Sequence, residues 1–154
     1  MTTARVREWA EALWNEVQRD VERWVPAAVA VPPRLRAVEV RYDQATPIFR
    51  TVVLGPPPEG MDPFLAWALA AARCVERWRP TALLLALDLA TADPGESLLV
   101  VEARNAVGTA RWFGRQLYRL EEGRVRWFDE PEWLEPPPDE MILDQAFARA
   151  APGV

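Results

Sequence analysis

From Thr81 to Phe128 the chain offers four strand-like segments with nothing but short turns between them, and this most constrains the fold. Thr81 to Leu89 is nearly all apolar, the pattern of a strand buried on both faces. Ala92-Asp93-Pro94-Gly95 is a turn sequence. Leu98 to Arg104 returns, and Asn105-Ala106-Val107-Gly108 turns again. Thr109 to Leu120 is a long strand, and Glu121-Glu122-Gly123 leads back into Arg124 to Phe128. Successive strands joined in this way form an antiparallel meander.

The part before the meander supplies two helices and a hairpin. Between Thr3 and Trp24, the residues Val6, Trp9, Ala10, Leu13, Trp14, Val17, Val21 and Trp24 fall on one helical stripe. Thr2 or Thr3 is placed to cap this helix, and Pro26 stops it. Leu35 to Tyr42 alternates as a half-buried strand and pairs with Ile48 to Leu54 across Asp43 to Pro47. After a stiff Gly-Pro linker, Asp62-Pro63 opens a second helix with an acidic cap and proline in the first turn. Its apolar arc, from Phe64 to Trp78, spans more than half the circumference, so more than one neighbour must cover it. One of these is expected to be the sheet, the other helix 1 or a partner.

The sequence thus predicts one α+β domain over residues 1–154, ordered α-ββ-α-ββββ-α. A mainly antiparallel sheet of about six strands carries helices chiefly on one face. Residues 129–154 form an acidic, proline-rich tail ending in a helix capped by Asp139 and running to about Ala150. In element order the layout resembles the profilin-like group, including roadblock and longin modules. It is similar also to small bacterial and phage proteins of like arrangement. Neither resemblance implies a particular function.

Composition narrows the chemistry. The chain has no His, and all 18 basic residues are Arg. Imidazole-dependent triads, Schiff bases and a Walker lysine are therefore excluded. A single cysteine, Cys74, excludes an internal disulfide and a one-chain cysteine zinc site, and its place on the apolar arc reads as an inert thiol. No cofactor is expected. Arg in place of Lys, scarce Ile and 15 prolines suggest a GC-rich or thermophilic bacterial or phage source. No leader or bilayer-length apolar run is visible, so a cytoplasmic address with no membrane partner is the expectation.

Four constellations stand out. On the strand Thr109 to Leu120, Arg111, Arg115 and Arg119 alternate with Phe113 and Leu117 on one face. Arg104, Arg124 and Arg126 extend the stripe, which can take nucleic-acid phosphates and stack bases. The plainer reading is a solvated face whose arginines pair with Glu102, Glu121 or Glu122. The tail, with seven acids and one Arg after Phe128, can dock on a second copy's basic face or fold back on its own sheet. Asp88 with Glu102-Ala103-Arg104 faintly resembles the Asp…Glu-x-Lys pattern of metal-dependent nucleases, but Arg cannot release its proton. Eight tryptophans are many for one domain, and Trp9, Trp14, Trp133 and Phe147 are candidate interface residues.

Together these favour a non-enzymatic protein–protein interaction module that self-associates. A nucleic-acid-binding accessory protein using the Arg face is the alternative. A divalent-metal phosphodiesterase is the second alternative.

Overall fold

The computed structural model describes residues 3–151. The elements run α1 (Thr3–Trp24), β1 (Arg34–Glu39), β2 (Ile48–Val53), α2 (Pro63–Trp78), β3 (Ala82–Ala90), β4 (Glu96–Asn105), β5 (Arg111–Glu121), β6 (Arg124–Trp127), β7 (Glu132–Leu134) and α3 (Ile142–Arg149). The sheet order is β2-β1-β3-β4-β5-β6, with β7 also on β5, and every pairing is antiparallel. The class and the meander are those the sequence predicts. β7 is an addition, since the acidic, proline-rich composition after Phe128 predicts no strand there. It pairs with Phe113 to Arg115 of β5.

The helices divide between the two faces, which corrects the expectation that they pack chiefly on one. α1 lays Val6, Ala10, Leu13, Trp14, Val17 and Val21 on Val38, Leu84, Ala86, Leu99, Val101 and Tyr118. α2 and α3 share the opposite face, where Ala71, Val75, Leu143 and Ala146 meet Leu35, Leu83, Leu85, Leu87 and Val100. Each large apolar side chain fully buried here contributes about 1.5–3 kcal/mol. The second cover of α2 is therefore α3, and helix 1 lies across the sheet from it. Coverage from both sides also corrects the half-buried reading of β1: Leu35 and Ala37 face one layer, Val38 the other.

Local signals set the boundaries. α1 runs into a 3-10 turn at Val25–Ala27 containing Pro26. Of the two capping candidates, Thr2 lies outside the described residues, and Thr3 is the first residue of α1. Asp62 accepts the Phe64 N–H at 3.2 Å with Pro63 beginning α2, a cap contributing about 1 kcal/mol. α3 starts later than predicted. Asp139 sits at positive φ outside it, and Asp144 inside the first turn accepts the Met141 N–H at 3.1 Å instead.

α1 is also tied to the first hairpin by charge. Arg34 donates to Asp20 at 2.6 Å and to Glu16 at 2.8 Å, and Arg36 donates to both Glu16 oxygens. Asp20, at the margin of the α1 stripe, thus serves this junction.

Candidate functional site

Strand register places Arg104 directly opposite Arg111. Two cations in that position repel unless an anion lies between them, and Asp144 of α3 is that anion. Its Oδ1 accepts from Arg104 at 3.0 Å and from Arg111 Nε at 2.9 Å, and its Oδ2 also accepts from Arg111. Arg111 reaches further, donating to the carbonyls of Pro136 and Pro137 at 2.7 and 2.8 Å. Arg104 lies over the Phe147 ring at 4.4 Å. These two arginines are the seat of the C-terminal helix, not an open phosphate-binding surface. Phe147 packs into the same layer and anchors α3.

Glu102 completes the seat. It is buried, and its two oxygens accept the N–H groups of Ile142 and Leu143 at 3.2 and 3.0 Å, the unpaired donors of the first helical turn. Burial is the largest influence on its carboxyl and pushes the pKa up to about 7. For Asp144 burial acts in the same direction, but Arg111 and the Met141 N–H outweigh it and hold the group below its ordinary value.

The remaining arginines lie farther along the same face. Arg115 meets Glu132 at 3.4 Å, Arg119 meets Glu96 at 3.2 Å, and Arg126 meets Glu121 at 3.1 Å. Arg126 is the cross-strand neighbour of Arg119, and Arg124 of Glu121. The stripe is therefore real as a register, but five of its six members are in ion pairs. Of the partners expected on sequence grounds, Glu121 is used. Glu102 takes helix N–H groups instead.

Five of the eight tryptophans, Trp9, Trp14, Trp112, Trp127 and Trp133, pack in the α1 layer, while Trp67 and Trp78 lie in the α2 layer. Trp9 and Trp14 are buried, the latter 3 % exposed, so neither offers free surface for a partner. Trp133 of β7 lies edge-on to Trp14, and its ring covers Gly114 so closely that a Cβ there would meet it at 2.7 Å. Gly114 in mid-strand was the sequence signal for this close approach. Cys74 is half-buried, and burial pushes its thiol up.

Asp88 and Glu102 do not converge. Asp88 points into the α1 layer, where it accepts the Tyr118 hydroxyl at 2.6 Å, while Glu102 points into the α3 layer. Among the described residues no group of three or more His, Cys, Asp or Glu side chains is placed to hold a metal ion. No helix among them is long and apolar enough to cross a membrane.

Models of known protein families, curated proteins and solved structures were compared with the chain, and none matches. The resemblance to the profilin-like group thus remains one of element order.

The feature that sequence reasoning missed is at the sheet margin. β2 pairs only with β1 among the described residues. Leu54 donates to Pro33 at 2.9 Å, which extends the β1–β2 ladder by one step. Strand alternation then directs the N–H and C=O groups of Ile48, Arg50 and Val52 towards β1, and those of Phe49, Thr51 and Val53 outward. The side chains of these outward-bonding residues share the α1 side, and Phe49 and Val53 are 47 % and 58 % exposed. Each residue was visible in the sequence, but nothing there says which strand becomes an edge.

Proposed function

We propose that the protein is a non-enzymatic interaction module that binds an extended segment of a partner chain along the open edge of β2. The observation that carries this reading is the difference between the two margins of the sheet. β6 is four residues long, carries Arg124 and Arg126, and leaves the far end of β5 to β7. Short, charged and covered margins resist strand addition. β2 is six residues long and rich in β-formers, and its one charge is turned inward: Arg50 donates to Glu39 at 2.8 Å and lies over Trp78. Strand addition draws affinity from main-chain hydrogen bonds and specificity from alternate side chains. Phe49 and Val53, flanking Thr51, offer both.

The nucleic-acid reading is less supported, because Arg104 and Arg111 are committed to Asp144. The pairs of Arg115 and Arg126 are exposed, each contributing about 0–1 kcal/mol, so these cations can exchange partners. Salt-sensitive binding of single-stranded oligonucleotides, lost in Arg115→Gln/Arg119→Gln, would replace the edge reading with this one.

The direct test selects peptides from a random display library on the full chain. Bound peptides are expected to protect the Phe49, Thr51 and Val53 amides from hydrogen exchange. Binding should fall at least tenfold in Thr51→Pro, which removes one outward N–H and, of the bonds to β1, only the side-chain one from Arg36, leaving the main-chain ladder intact. Selected peptides that leave those amides unprotected would overturn the proposal.

A further inference from the structure

We infer that the occupant of the β2 edge is β2 of a second copy of this chain, antiparallel, about a two-fold axis through Thr51. The inference rests on the edge reading above and names its partner. A two-fold axis perpendicular to a sheet sets residues of the same parity opposite one another, so only a few registers are available to the strand Ile48–Val53.

The side chains choose among them. With the axis at Arg50, two guanidinium-bearing residues face each other, and Val53 falls opposite Pro47, which has no N–H to give. With the axis at Val52, Phe49 falls opposite Gly55, which has no side chain to meet it. With the axis at Thr51, each Phe49 lies across from the other copy's Val53, and the two Thr51 residues face each other. Aromatic with β-branched and Thr with Thr are both favourable cross-strand pairs. In this register the residues that meet are those whose main-chain groups point outward, so the ladder forms without altering the β1–β2 bonds. The Thr51 hydroxyl already accepts the Arg36 Nε at 2.9 Å and keeps its own proton for the partner. Arg50 then lies over the other copy's Val52 and remains within reach of Glu39. Phe49, which meets Trp9 edge-on at 6.4 Å within its own copy, and exposed Val53 each gain a cross-strand partner in two.

Sedimentation equilibrium of the full chain across a hundredfold concentration range is the first measurement. A mass rising towards twice the 17.5 kDa of one chain is expected. Thr51→Glu and Thr51→Arg each place like charges across the axis and should weaken the dimer at least tenfold. Mixing the two in equal amounts should restore it, because Glu then faces Arg. Thermal melts of the separate variants at low concentration report that each remains folded. A wild-type chain that stays monomeric throughout overturns the inference, and so does a dimer indifferent to both substitutions. If library-selected peptides still protect the Phe49, Thr51 and Val53 amides in a monomeric chain, the second copy is excluded while the edge reading stands. If no peptide and no second copy protects them, both fall.

Discussion

Arg111 of β5 donates to both carboxylate oxygens of Asp144 in α3, across 33 residues of sequence. The pair joins the sheet to the last helix, and Arg104 of β4 makes it a triad. Asp144 is 3 % exposed at its side chain and both arginines 12 %, so solvent screens the group little. Removing one partner from such a group leaves uncompensated buried charge. Asp144→Asn is expected to cost about 3 kcal/mol in urea unfolding. Arg104→Gln should cost less, since Arg111 still satisfies both oxygens.

Glu102 gives the protein a pH dependence of definite sign. Its folded-state pKa, about 7, lies above the ordinary 4.5, because burial outweighs the two N–H donors. Between those values the folded chain binds more protons than the unfolded one, so this group's contribution to stability falls as pH rises through the window. Asp144 acts oppositely: its lowered value makes its contribution present above the ordinary carboxylate range and lost as pH falls through its folded value. Urea unfolding between pH 4.5 and 8 should show a decline that Glu102→Gln removes. The difference in slope at its steepest is about 1.4 kcal/mol per pH unit. A wild type and variant with parallel profiles would refute this assignment.

Gly114 is fixed by Trp133. An added Cβ would meet the indole at 2.7 Å, and that ring is held edge-on by Trp14 and covered by Arg7. Gly114→Ala is expected to cost about 2 kcal/mol by overpacking, and to change the near-ultraviolet circular dichroism as Trp133 shifts.

Trp14 separates the core reading from the interface reading. A buried tryptophan cut to alanine leaves a cavity, and Trp14→Ala should cost about 3–5 kcal/mol in folding. If Trp14 served a partner instead, the variant would unfold at nearly the wild-type urea concentration and lose association alone.

Local pattern determined much of this protein by itself. Three-and-four spacing marked α1, Asp62-Pro63 marked the start of α2, and short turns made the run from β3 to β6 antiparallel, because each of these effects acts within a few residues of chain. Only tertiary structure decided which helix covers which face: the broad α2 arc required two neighbours, but the pattern carries no information about whose side chains they are. Asp144 looked like one acid among seven until folding laid it between Arg104 and Arg111. Glu102 likewise became a helix cap only when residues 40 positions away arrived above it. The open margin of β2 follows from strand order, which is settled by the competition of all seven strands for neighbours. A strand's own residues state what it can pair with, while the whole sheet decides what is left unpaired.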